Sequence, residues 1–128
     1  MQFQIAKYTK GAEIVGDFFR AGIPIVAGTD NFVPVFSLYL ELEIYHKLAG
    51  LTPLEAIQTA TIIPAKVMGI DSETGTLEIG KEADIAILDE NPLLDISNIR
   101  TVSAVITNGN YYESNPLWEA VDFQPKNN

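Results

Sequence analysis

Asp30 is the residue of this chain whose neighbours best equip it for chemistry. It ends the run Ala21-Gly22-Ile23-Pro24-Ile25-Val26-Ala27-Gly28-Thr29-Asp30, where an apolar, partly β-branched stretch carries one carboxylate at its C-terminal tip. A carboxylate in that place can ligate a divalent metal, or accept a proton from an attacking water. It can also cap the following helix or close a turn. A hydrolytic metal site needs about three or four protein ligands. The chain has no cysteine, one histidine (His46) and no paired-histidine motif, so the sequence points to a chemistry that it does not complete.

The remaining candidates are weaker. His46 falls some way into a helix beginning near Phe36, which at about 1.5 Å per residue displaces it by about 15 Å along the axis and away from Asp30. Gly28 and Thr29 could shape a pocket floor or simply form a tight strand end. Phe32, Val33, Pro34, Val35 and Phe36 could contact an apolar substrate group or pack beneath the first turn of the next helix. Trp118, Tyr111 and Tyr112 are expected to cover the core of the chain's tail rather than to bind a ligand. Asp84 and Asp89 belong to a turn and a strand end and do not form an acid–base pair.

The elements that would position Asp30 follow from periodicity. Ile14, Val15, Phe18 and Phe19 recur at helical spacing opposite Glu13, Asp17 and Arg20, which predicts a helix over Lys10–Ala21 stopped by Gly22 and Pro24. Ile23–Ala27 reads as a strand buried on both faces of a parallel sheet. After a loop at Asn31–Pro34, a helix is predicted over Phe36–Ala49, with Glu43 and Lys47 paired at i,i+4 and Gly50 at C′. Thr52-Pro53-Leu54-Glu55 has the form of a capping box, opening a helix from Pro53 to about Thr61. Pro64 then restarts a short helix that Gly69 ends.

From Asp71 the period changes. An extended piece is expected at Thr76–Ile79, a strand over Ala83–Asp89, and a hairpin of Val102–Thr107 and Asn110–Tyr112 turned by Asn108-Gly109. Pro125–Asn128 should be frayed. The expected fold class is thus α/β plus a small β unit, divided at about residue 70 into 1–70 and 71–128.

Charge limits the partners. Eight basic against 17 acidic residues give a net charge of −9, which argues against nucleic acid or an anionic membrane surface. The acids gather between Asp71 and Asp95 around the single Lys81, as on a solvated face, and without the spacing of a calcium loop. Lacking cysteine, the chain has no disulfide framework. The segment Met-Gln-Phe-Gln-Ile-Ala-Lys-Tyr has neither the basic start nor the apolar stretch of a signal peptide, and a cytoplasmic location is the default expectation.

Taken in order, Gly28-Thr29-Asp30, Leu40-Glu41-Leu42, Gly50-Leu51-Thr52-Pro53-Leu54-Glu55-Ala56-Ile57-Gln58-Thr59-Ala60-Thr61, Pro64-Ala65, Gly69, the run Gly75 to Asp89, Asn91-Pro92-Leu93 and Asn108-Gly109 form a specific series. It strongly resembles the C-terminal part of metal-dependent amidohydrolases, the imidazolonepropionase and prolidase-like group in particular, over roughly residues 12–112. The resemblance implies the last helix–strand unit and following helices of a (β/α)8 barrel, with part of a composite β-sandwich. At 128 residues the chain is about half of the roughly 250 that such a barrel uses. Asp30 stands at the end of the eighth strand, where the family's aspartate contacts a divalent metal, zinc being expected, and takes a proton from the hydrolytic water. Gly75, Gly80, Ala83 and Asp84 match positions that are structural in the family.

The family's His-x-His, its bridging lysine or carboxylate and its other histidines match no segment here, and Tyr39 stands where many relatives carry histidine. Two functions are therefore expected as alternatives. One is the C-terminal portion of an enzyme hydrolysing a non-peptide or dipeptide-type C–N bond, inactive and holding no tight metal in isolation, its partner the N-terminal barrel portion. The other is a non-catalytic module that self-associates as a homo-oligomer, covering unpaired strand edges and apolar faces with another copy.

Overall fold

The fold is given by a computed structural model that describes residues 2–30 and 36–120. Helix α1 (Gln2–Arg20) begins well before the expected Lys10, because nothing from Gln2 onward breaks a helix. Its end obeys the local signal. Gly22, at φ +80°, lets its own amide reach the Phe19 carbonyl and the Ile23 amide reach the Phe18 carbonyl, the paired bonds of a Schellman motif.

Helix α2 (Phe36–Lys47) is followed by the turn at Gly50 (φ +77°). Helix α3 (Pro53–Gln58) opens on the expected capping box. The Glu55 amide donates to Thr52 Oγ1, and the Glu55 carboxylate accepts from the Thr52 amide at 2.7 Å. The bonds that the Thr52 amide and hydroxyl donate to it hold the Glu55 carboxyl below its ordinary range, so what they add to stability is present above that range and is lost as pH falls through the lowered value. The helix stops at Gln58 rather than near Thr61. The Thr59, Ala60 and Thr61 amides turn to carbonyls three residues back, tightening the last turn. Helix α4 (Ile62–Met68) ends at Gly69, left-handed at φ +72°, as its sequence predicts.

The sheet is antiparallel, with β1 (Ile85–Leu88), β2 (Val102–Thr107) and β3 (Asn110–Glu113) in that order. Asn108 and Gly109 both take positive φ, which is what a two-residue hairpin turn matching strand twist requires. Thr76–Ile79 forms no strand. The loop is closed instead by the Glu82 amide on the Glu73 carbonyl and by Lys81, whose Nζ donates to the Asp71 carbonyl and Thr76 Oγ1. A short helix α5 (Ser114–Ala120) follows β3. Among the described residues no helix is long and apolar enough to cross a membrane.

The core lies between the helices. Ala12 of α1, Leu42 and Tyr45 of α2, Ala49, Leu51, Ala56 of α3 and Ile96 form one buried cluster, with Val15, Phe19, Ile25 and Ala27 packed against it. Ile96 comes from a 3-10 turn (Ile96–Arg100). Arg100 ties this turn to α2, its Nε 2.6 Å from Glu43 and its guanidinium over the Tyr39 ring. Only part of the α1 apolar set turns inward, since Ile14 and Phe18 remain exposed.

Candidate functional site

Asp30 stands at the end of an extended segment that begins after Gly22. Ile25 and Ala27 face the core, whereas Pro24 and Val26 are exposed, as alternation along an extended chain demands, and Ile23, next to the turn at Gly22, is exposed as well. The segment expected to be a strand is extended. Among the described residues the segment has no strand neighbour, so its backbone groups turn to helices. The Ala27 amide donates to the Thr59 carbonyl at 2.9 Å, and the Gly28 amide to Glu41 Oε1 at 3.2 Å.

Two successive amides are thus fixed immediately before Thr29 and Asp30. Thr29 is half-buried and Asp30 exposed, with Asp30 in the left-handed region at φ +48°. Aspartate and asparagine tolerate that conformation better than most residues, at a cost that the surrounding bonds must offset.

Glu41 is the residue that sequence reasoning passed over. On α2 it sits four residues before Tyr45, whose hydroxyl donates to the same Oε1 that receives the Gly28 amide. Burial, then the bond to the Glu41 carboxylate, pushes the Tyr45 phenol well above its ordinary range. Glu41 Oε2 is shielded from solvent and has no hydrogen-bond partner among the described residues. The signals available were the Glu/Tyr spacing of one helical turn and the place of Leu40-Glu41-Leu42 in the series quoted above.

The other candidates lie elsewhere. His46 Nδ1 is 2.7 Å from the Leu51 carbonyl, an acceptor, so Nδ1 carries the hydrogen and the ring braces the α2–α3 turn. Asp84 accepts from Thr107 Oγ1 at 2.7 Å and anchors β2, while the Asp89 amide donates to the Thr101 carbonyl. Neither meets the other in an acid–base pair, as expected. Tyr111 and Tyr112 do not cover a core, because every residue of the edge strand β3 is exposed. Trp118 is half-buried on α5. Burial pushes the Tyr39 phenol up, with the Arg100 charge opposing it. Phe32, Val33, Pro34 and Val35 lie outside the described residues, as does the side chain of Phe36.

No set of three or more His, Cys, Asp or Glu side chains converges on one point among the described residues. One exposed carboxylate does not fit a metal ion by itself. The deciding observation comes from comparison: the model of the amidohydrolase family matches residues 2–111. The chain belongs to the amidohydrolase family.

Within that family it is similar to ochratoxinase of Aspergillus niger, 41% identical over 87 residues, which are 67% of this chain and 18% of the relative. It is also similar to imidazolonepropionase of Thermoplasma volcanium, 32% identical over 101 residues, or 72% of this chain and 24% of that one. Among solved structures it is similar to a Xaa-Pro dipeptidase with methionine bound in its active site, at 32% identity and a TM-score of 0.71. That likeness covers 80% of this chain and 25% of the other. The chain therefore spans about a quarter or less of the relatives it matches.

Proposed function

We propose that this chain is the C-terminal portion of a metal-dependent amidohydrolase that hydrolyses a carbon–nitrogen bond in a non-peptide or dipeptide-type substrate. Asp30 is its contribution to the hydrolytic centre. The observation that carries this reading is the setting of Asp30: one exposed carboxylate, raised at the end of a segment whose last two amides before Thr29 are both bonded. In this reading the eighth barrel strand is Ile23–Ala27, its sheet neighbours come from the N-terminal portion, and residues 71–128 form part of a β-sandwich. Asp30 accepts a proton from the attacking water, which an exposed carboxylate is free to do. Asp30 also contacts a divalent ion, zinc in this reading, whose other ligands lie outside the described residues, and the isolated chain is inactive.

A chimera tests it. This chain is substituted for the matching quarter of a prolidase-like relative, and hydrolysis of a Xaa-Pro dipeptide is measured. Turnover is expected in the chimera and none from the 128-residue chain alone. A chimera that folds, binds metal and does not turn over would contradict the reading.

A second reading, a non-catalytic module that self-associates, is favoured by one specific observation. Ile14 and Phe18 of α1 and Ile23 and Val26 of the extended segment are 48%, 50%, 48% and 43% exposed, and the extended segment has no strand partner among the described residues. Apolar side chains next to an open edge favour association. Sedimentation velocity should show a dimer or larger species. A compact monomer over a hundredfold concentration range would sink the module reading.

A further inference from the structure

Glu41 takes no part in the proton transfer proposed above, yet it bonds α2 to the segment that leads to Asp30. We propose that Glu41 is a positioning residue that sets the backbone geometry of Gly28-Thr29-Asp30. Its bearing on catalysis rests on the reading of Asp30 given above.

Three observations carry the inference. The first is connectivity. Glu41 Oε1 accepts the Gly28 amide at 3.2 Å, two residues before Asp30, while the Tyr45 hydroxyl bonds the same oxygen from the buried core. Tyr45 thus fixes the carboxylate, and the carboxylate fixes the segment. The second is conformation. Asp30 is held at φ +48°, a region that a residue with a Cβ occupies at a cost, and one that persists when surrounding bonds leave the chain few alternatives. The Ala27 bond to the Thr59 carbonyl sets the segment's depth against α3, and the Gly28 bond sets the direction in which it leaves the core.

The third is how the carboxylate is used. Glu41 Oε2 is out of solvent and unpartnered among the described residues, so the bonds from Gly28 and Tyr45 both run through Oε1. A glutamine of the same shape would keep one acceptor for Gly28 and remove the buried charge. What the tip takes from residue 41 is therefore an acceptor oxygen held by Tyr45, which glutamine of the same shape also supplies. The Tyr45 phenol, pushed up by burial and by Glu41, keeps its proton and remains a donor throughout the neutral range.

Amide hydrogen exchange followed by NMR on the 128-residue chain tests the inference, with the Ala27 amide as internal reference. Glu41→Met, which fills the same space without an acceptor, is expected to lower protection at Gly28 about tenfold and to move the backbone shifts of Thr29 and Asp30. The Ala27 amide should keep its protection, and Glu41→Gln should restore Gly28. Unchanged protection and shifts in Glu41→Met would overturn the inference, as would a failed rescue by Glu41→Gln. Should the methionine variant not fold, the wild-type chain decides. The Gly28 amide proton should move in step with protonation of the Glu41 carboxyl, and a Gly28 signal insensitive to it overturns the inference equally. Turnover of the chimera carrying Asp30→Asn tests the other reading separately. Full activity there would remove Asp30 from the chemistry and leave the Gly28 result standing.

Discussion

Asp30→Asn in the chimera is expected to lower turnover by about a thousandfold, within the range that loss of a positioned proton acceptor produces. The same substitution in the isolated chain should leave stability within about 1 kcal/mol. The two expectations follow from one geometry. Asp30 is exposed and adds nothing to the buried cluster, so losing its charge disturbs no packing. Asparagine is also among the residues that accept positive φ, so the backbone at φ +48° is not the cause of any activity loss. Turnover in the chimera and urea unfolding of the isolated chain measure the two effects. A large loss of stability would instead make Asp30 a structural cap.

Gly16→Ala should cost a large share of the stability of this chain. A Cβ on Gly16 would lie 2.1 Å from the Ala49 carbonyl oxygen and 3.1 Å from its carbon, far inside contact distance. That carbonyl is not free to retreat, because it accepts a bond from Arg20 and belongs to a residue buried in the core. Helix α1 must therefore move off, and Ala12, one turn earlier and buried, moves with it. A loss of about 3 kcal/mol is expected, at the upper end of ordinary overpacking. Gly11→Ala is the matched control, since its Cβ would meet nothing within 4 Å. By removing a flexible residue from a helix, it should stabilise by about 0.5–1 kcal/mol. Equal urea midpoints for the two variants would show that α1 does not rest on Ala49.

Features decided within a few residues were legible in the sequence. The Thr52–Glu55 capping box, the stops at Gly22 and Gly69 and the Asn108-Gly109 hairpin each depend on local sterics and local hydrogen bonds, and each is found. Features that depend on distant partners were not. Ile23–Ala27 has a strand's composition, but pairing needs a neighbour that the described residues do not provide. Tyr111 and Tyr112 have the size of core residues, yet β3 is an edge strand and leaves them exposed. Thr76–Ile79 was drawn away from strand geometry by Lys81, whose bonds close the loop.

The site divides in the same way. Asp30 was singled out by its position after an apolar run. Its left-handed backbone and its dependence on Glu41 were not, because they arise where the Gly28 amide meets a helix beginning with Phe36. A glutamate between two leucines reads as a solvated residue until that amide is in place.

In the proposed function this chain supplies one carboxylate to a hydrolytic centre whose other metal ligands lie elsewhere. Calorimetric titration of the 128-residue chain with zinc tests it most directly. No stoichiometric binding is expected, because no set of three ligating side chains converges among the described residues. Tight one-to-one binding that disappears in Asp30→Asn would contradict the claim.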